Sequence, residues 1–388
     1  MLNQLEGSQA VAQAVALCRP QVVCAYPITP QTHIVEGVGE LVHSGALKNC
    51  EFINVESEFA ALSVAIGASA AGVRSYTATS SQGLLYMIEA VYNASGLKLP
   101  IVMTLGNRAI GSPINIWNDH TDAMSVRDSG WIMLFAEDNQ EAVDLHIQAF
   151  LIAEKTKIPV MVCVDGFILT HAYESIDIPT QEQVDEYVPE FQCAHKLDIN
   201  EPCAIGAMVP PDKFTEVRVI SHNAQFDAIS VIDEASKKFD NIFGRKTGGL
   251  IRSYNMENAD KVIVCMGSIA GTIKDAIDEL KHENGVNVGC LSIISYRPFP
   301  EKEILDALQV KKEVIVLEKA FAIGKRGVLG DEIKICLENT DCIVKNVVAG
   351  LGGRSITKNQ IKSILTCEEL QDFSFLALDE SLVNSNAI

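Results

Sequence analysis

The run Glu51-Phe-Ile-Asn-Val-Glu-Ser-Glu58, continued by Phe59-Ala-Ala-Leu-Ser-Val-Ala-Ile-Gly-Ala-Ser-Ala-Ala71 and then by Tyr76-Thr-Ala-Thr79, decides the fold class. Glu51 to Val55 is a short run carrying Phe52 and the β-branched Ile53 and Val55, which predicts a strand. Glu56-Ser-Glu58 opens a helix of small residues that runs through Ala71, and Tyr76 to Thr79 is the next strand. A strand, a helix and a second strand with no hairpin turn between them is the unit of a parallel sheet covered by helices. Small faces such as Ala60-Ala61 and Ala68-Ser-Ala-Ala71 allow close approach of another backbone, in the core or at a subunit interface.

The same alternation extends in both directions. A helix from Gly7-Ser8 to about Cys18 is ended by Arg19-Pro20 and leads into the strand Val22–Tyr26. Ser80-Ser-Gln-Gly83 turns the chain into a helix from Leu84, and further apolar runs predict strands at Ile101–Thr104 and Ile158–Val164. Between these two, Glu141 to Lys155 starts acidic and ends basic, as a helix dipole prefers. From His171 to Asn223 the periodicity fades into acidic, proline-bearing sequence, which predicts an excursion from the sheet. A helix from Ala224 to about Phe243 and a linker at Gly244-Arg-Lys-Thr-Gly-Gly249 follow. A second alternating block, with strands at Lys261–Met266, Val286–Ile293, Glu313–Leu317 and Cys342–Val348, predicts a smaller α/β domain. The expected division is residues 1–245 and 256–388.

Composition excludes several classes of function. The 388 residues are 48% apolar and 21% charged, ordinary for a globular protein. Lys and Arg total 31 against 50 Asp and Glu, a net charge of −19, whereas nucleic-acid and anionic-membrane binding both call for a basic surface. No apolar run reaches the ~18 residues of a membrane span, and Met1-Leu-Asn-Gln-Leu-Glu6 has neither a basic leader nor a cleavable apolar stretch. With an odd count of 11 cysteines, this predicts reduced thiols in the cytoplasm. The closest pairs, Cys18/Cys24 and Cys336/Cys342, are six apart and no Cys-x-x-Cys occurs, so the chain is expected to hold no iron–sulfur cluster.

Four stretches could carry chemistry. The glycine turns Gly350-Leu-Gly-Gly353 and Gly267-Ser-Ile-Ala-Gly271 follow strands, but neither forms a dinucleotide fingerprint and no P-loop is present. Tyr26-Pro-Ile-Thr-Pro30 holds Thr29 in a rigid frame just after a strand, either as a ligand group or as a helix cap. Asn107-Arg-Ala-Ile-Gly-Ser-Pro-Ile-Asn-Ile-Trp-Asn-Asp-His120 sets Arg108 at another strand end, where a guanidinium suits a small carboxylate or serves the fold. His120 and Asp119 within it, with Asp122 just beyond, lack the spacing of a metal site, and His120 reads as a hydrogen-bonding loop residue. Glu58, at a helix start, is a dipole partner or an acid–base group.

The four motifs Tyr26–Pro30, Glu56–Glu58, Ser80–Gly83 and Asn107–His120, in this order, resemble the α subunits of multi-subunit pyruvate:ferredoxin oxidoreductases, within the 2-oxoacid:ferredoxin oxidoreductase superfamily. The resemblance runs through Gly350-Leu-Gly-Gly-Arg354, nearly the whole chain, and is less clear over residues 173–223. It implies a pyrimidine-type thiamine-diphosphate-binding domain followed by a transketolase C-terminal-like domain. It also implies that thiamine diphosphate is shared with a partner subunit, that magnesium and iron–sulfur clusters sit on partners, and that β, γ and ferredoxin-like δ subunits, ferredoxin, pyruvate and coenzyme A complete the system. The absence of a Gly-Asp-Gly diphosphate motif and of cluster ligands agrees. Carried over by position, Glu58 would face N1′ of the aminopyrimidine, through a carboxyl raised by burial. Thr29 and Arg108 would bind the substrate carboxylate. A branched-chain or other 2-oxoacid is the nearest alternative substrate, and a non-catalytic assembly subunit is the alternative of a different kind.

Overall fold

The computed structural model describes residues 2–193 and 195–385, so Met1 and residues 386–388 of the expected domains lie outside the described residues. Along the chain the first eight strands are β1 (Leu2–Glu6), β2 (Val22–Cys24), β3 (Glu51–Ile53), β4 (Ser75–Thr79), β5 (Ile101–Asn107), β6 (Ile132–Phe135), β7 (Val160–Asp165) and β8 (Tyr173–Asp177). The remaining seven are β9 (Ile251–Tyr254), β10 (Lys261–Cys265), β11 (Val288–Ile293), β12 (Ser295–Arg297), β13 (Glu313–Glu318), β14 (Ile343–Val348) and β15 (Phe373–Phe375). They form a seven-stranded sheet of order β12-β6-β7-β5-β4-β2-β3, a six-stranded sheet of order β15-β14-β13-β10-β11-β9, and the antiparallel pair β1-β8. Both large sheets are parallel except for edge strands β12 and β9. β4, β5, β6 and β7 are buried at every position, as parallel strands covered on both faces must be.

The two sheets share a core. Met133, Phe135 and Met161 of the first pack in one apolar cluster with Val262, Leu291 and Val314 of the second. β12, which follows β11 in the chain, crosses over to pair with β6 of the first sheet, Ser295 opposite Leu134. Among the described residues no helix is long and apolar enough to cross a membrane.

Four local expectations are corrected. The helix expected from Ala224 begins at Pro211 and runs to Phe243, with Pro at its first position. Its first turns carry no buried stripe, since residues 211–220 are exposed all round, so no apolar period marks them. The stretch 244–249 is packed rather than a free linker: Arg245 pairs with Asp144 at 2.6 Å, and buried Thr247 accepts at its carbonyl from Ser236 Oγ at 2.7 Å. β5 continues past Thr104 to Asn107, which brings the strand end to the neighbour of Arg108. β1, β6, β8, β9, β12 and β15 lie outside the strands read from sequence; they are only three to five residues long, too short for a clear apolar pattern.

Candidate active site

In a parallel sheet the carboxyl ends of the strands share one edge, and the ends of β3, β2, β4, β5 and β7 bring the predicted residues there. After β3 the chain turns at Ser57, whose side chain accepts from Ala60 N at 3.2 Å and so caps the helix Glu58–Ala70. Glu58 is therefore the first helical residue and buried, 8% exposed. Its carboxylate makes no hydrogen bond or ion pair among the described residues.

What surrounds Glu58 comes from the end of β4. A Cβ at Gly83 would stand 2.8 Å from Glu58 Oε1 and 2.5 Å from Thr79 Oγ1, so only glycine leaves this recess open. Thr79 Oγ1 and Ser80 Oγ are buried and without a partner. Ser81 sits at φ 49°, a left-handed conformation unusual for a residue with a Cβ and the kind of local strain that gathers at functional turns. A free carboxylate and the unpaired Thr79 hydroxyl around a bare glycine fit the edge of a planar, polar heteroaromatic ring such as the aminopyrimidine of thiamine.

Thr29 and Arg108 meet at the neighbouring strand ends. Arg108, 6% exposed, donates from Nη1 to the backbone carbonyl of Thr29 at 2.9 Å and from Nε to that of Asn115 at 3.1 Å. The contact thus runs through the Thr29 backbone, while the exposed Thr29 hydroxyl and Arg108 Nη2 remain available. Burial draws the guanidinium down from its ordinary value and Asp122 opposes this. Gly166, after β7, lets the three turns close together: a Cβ there would lie 2.4 Å from the Asn107 carbonyl oxygen and 2.6 Å from Pro30 Cγ.

Several residues that hold the site escaped the sequence reading. Fully buried Asp122 accepts from Ser81 N at 3.0 Å, Arg108 N at 2.9 Å and Asn107 Nδ2 at 3.0 Å, fastening the β4 and β5 turns to each other. Burial pushes its carboxyl up to about 7, against the pull of these donors. Gln31 donates from Nε2 to Tyr26 O at 2.8 Å and to Ala78 O at 3.2 Å, tying the turn after β2 to β4. Gln31 directly follows the Tyr26–Pro30 motif, and that adjacency was a usable signal; Asp122 was weighed only as a metal ligand, and nothing local marks it as the acceptor that joins two turns.

The second sheet braces this edge. Lys319, just past β13, is buried and donates to Asp165 Oδ2 at 2.6 Å, while His120 Nε2 meets Asp165 Oδ1 at 2.7 Å. Burial pushes the Asp165 carboxyl up, but Lys319 and His120 outweigh it and hold it well below the usual carboxylate range. His120 is thus a buried structural hydrogen-bonding residue. The Gly350–Gly353 turn clasps the Arg108 loop: Gly352 N donates to Asp119 Oδ2 at 3.0 Å, and Asn115 Nδ2 donates to Gly352 O at 3.1 Å.

Comparison with known proteins gives the family of the fold. Residues 13–237 match the family model described as pyruvate flavodoxin/ferredoxin oxidoreductase, thiamine diP-bdg, and residues 259–361 match pyruvate:ferredoxin oxidoreductase core domain II. The chain is 46% identical over 366 residues to pyruvate synthase subunit PorA of Methanosarcina barkeri, covering 93% of this chain and 91% of that one. It is 41% identical over 363 residues to ketoisovalerate oxidoreductase subunit VorA of Pyrococcus horikoshii, covering 93% and 92%. Among solved structures, a 2-oxoglutarate:ferredoxin oxidoreductase from Magnetococcus marinus superposes with a TM-score of 0.72 at 21% identity, a likeness of fold. That superposition takes in 94% of this chain but 64% of the other, so this chain spans somewhat under two thirds of its length. The thiamine-binding match over the sheet that carries Glu58, the core-domain match over the sheet that braces it, and the near full-length relatives place the chain in the pyruvate flavodoxin/ferredoxin oxidoreductase family.

Proposed function

We propose that this chain is the subunit of a pyruvate:ferredoxin oxidoreductase that encloses the aminopyrimidine end of thiamine diphosphate and binds the carboxylate of pyruvate. The reaction converts pyruvate, coenzyme A and two oxidised ferredoxins to acetyl-CoA, CO2, a proton and two reduced ferredoxins, and is reversible. The observation that carries the reading is the buried, partnerless Glu58 carboxylate beside Gly83 and the unpaired hydroxyl of Thr79.

Thiamine diphosphate, when bound, supplies the electron sink for decarboxylation. Glu58 contributes a carboxyl that holds or releases a proton at the ring edge without competition from another protein group. Arg108 and Thr29 take the substrate carboxylate, Arg108 through Nη2 and Thr29 through its hydroxyl, giving one cation and one neutral donor for a monoanion. Asp122, Gln31 and Gly166 hold these turns in register.

The chain offers no diphosphate–magnesium motif and no cluster ligands. In this reading a β subunit brings the magnesium and the diphosphate half of the site, γ and ferredoxin-like δ subunits complete the complex and its iron–sulfur clusters, and the assembly works in the cytoplasm. Residues 1–245 form the thiamine-binding domain and 256–388 the transketolase C-terminal-like domain, with β12 reaching back to join them.

Steady-state assay of the assembled complex tests the proposal. Glu58→Gln is expected to lower kcat by roughly the 10²–10⁴-fold typical of lost acid–base catalysis. A variant with wild-type turnover contradicts it. Preference for 2-oxoisovalerate, the branched-chain alternative, overturns the pyruvate assignment and leaves the site standing.

A further inference from the structure

A second group of chemistry-bearing side chains, none of them used above, lies beside the Thr29 turn. Glu6 ends β1, His33 occupies the first turn of the helix Thr32–His43, and His171 precedes β8. The fold brings them together through backbone pairing. Glu6 lies opposite Tyr173 in the β1-β8 pair, Gly7 N donates to Ala172 O at 2.9 Å, and Ser8 donates to Thr170 O from both N, at 2.9 Å, and Oγ, at 2.7 Å. One ligand atom from each of the three residues lies within 4.8 Å of the others.

We propose that Glu6, His33 and His171 bind one divalent transition ion of the zinc or ferrous type. Two imidazoles and one carboxylate are the donors such borderline ions select, whereas magnesium and calcium call for an all-oxygen set. Bonds of about 2.0–2.1 Å put tetrahedral ligand atoms about 3.4 Å apart, so side-chain rotation of roughly an ångström closes the set on a fixed backbone. Two of the ligand atoms are already joined, His33 Nδ1 to Glu6 Oε1 at 2.7 Å, and the ion replaces the proton they share. His171 is oriented by its other nitrogen: Thr170 Oγ1 meets Nδ1 at 2.7 Å and accepts from Phe167 N at 2.8 Å. An oxygen with two lone pairs can accept from both, which leaves the lone pair of His171 Nε2 for a metal, the usual outer-shell arrangement of a ligating histidine. The His33 side chain is 45% exposed, and His33 and His171 line a pocket with Thr29, Pro30 and Glu36, so an ion has a route in.

The test uses the full-length chain, stripped with chelator and titrated with cobalt(II), then competed with zinc(II). The expected result is one equivalent bound with a micromolar or tighter Kd and ligand-field absorption free of thiolate charge transfer, which separates this site from the 11 cysteines. His33→Ala and His171→Ala are each expected to weaken binding at least tenfold, and Glu6→Gln severalfold, with far-UV circular dichroism unchanged. His33, being half-exposed, is the variant least able to disturb folding. Absence of binding below millimolar metal, thiolate absorption, or affinity unchanged in His33→Ala overturns the proposal.

Discussion

Glu318, at the end of β13, and Glu58, just after β3, are both buried carboxylates beside a glycine at the end of a parallel strand. Glu318 accepts from the backbone N–H groups of Val328, Leu329 and Gly330, each at 2.9 Å, and from Asn346 Nδ2 at 2.6 Å. Glu58 accepts from nothing among the described residues. The contrast extends beyond the pair. Every buried side-chain polar atom left without a partner, among the described residues, lies between Gln31 and Thr247, and none lies in the second sheet or its helices. Several of them, Gln31 Oε1, Thr77 Oγ1, Thr79 Oγ1, Ser80 Oγ and Asn107 Oδ1, belong to the strands and turns of one sheet edge. An unpaired buried polar group costs free energy, so a ligand at this edge would gain bonds that the second sheet has no need of. The glycine turns of the second sheet are closed instead: Ser268 N donates to Asp165 Oδ2 at 3.1 Å, and the Gly350 turn holds the Arg108 loop.

The contrast predicts that substitutions on the two sides break different properties. The largest effect on stability belongs to Glu318→Ala, which orphans three backbone donors; at about 1–3 kcal/mol each, the loss is expected to be at least about 3 kcal/mol. The urea midpoint should fall accordingly while kcat per folded complex stays within about twofold. Loss of turnover in the folded fraction would erase the distinction. Arg108→Met removes a charge-assisted bond worth about 1.5–3 kcal/mol, so kcat/KM for pyruvate should fall about tenfold to a hundredfold.

Asp122 sharpens the comparison through pH. Its carboxyl is raised to about 7 by burial, so between the unfolded value near 4 and this folded value the native state holds a proton that the unfolded chain has lost. The stability it contributes is present below that window and lost as pH rises through about 7. From pH 5 to pH 8 wild type should lose on the order of 3 kcal/mol more than Asp122→Asn, as read by parallel urea titrations. Equal losses would show that the carboxyl is ionised throughout. Thr29→Val is the smallest change, near 1 kcal/mol or about fivefold in kcat/KM, because one neutral bond goes and the shape stays.

Much of this was legible in the sequence. Alternating apolar runs and helical patterns are local signals, and they identify nine of the strands that build the two large sheets. Thr29, Glu58 and Arg108 stood out because each follows a strand, and strand ends in a parallel sheet share an edge. What stayed hidden depends on long-range pairing. Nothing local says that Ser295 pairs with Leu134, that Lys319 finds Asp165 across 154 residues, or that Asp122 accepts from both Ser81 and Arg108. The first turns of the helix Pro211–Phe243 were missed for the opposite reason, since an exposed segment carries no apolar period.

The central claim is that the unpaired edge around Glu58 completes itself on the aminopyrimidine of thiamine diphosphate. The most direct measurement is the exchange rate of the thiazolium C2 proton in the assembled complex, compared between wild type and Glu58→Gln. Glutamine keeps the shape and loses the acid, so exchange should slow by roughly 10²–10⁴-fold with folding unchanged. Exchange at the wild-type rate would contradict the account and return Glu58 to the role of a helix-start carboxylate.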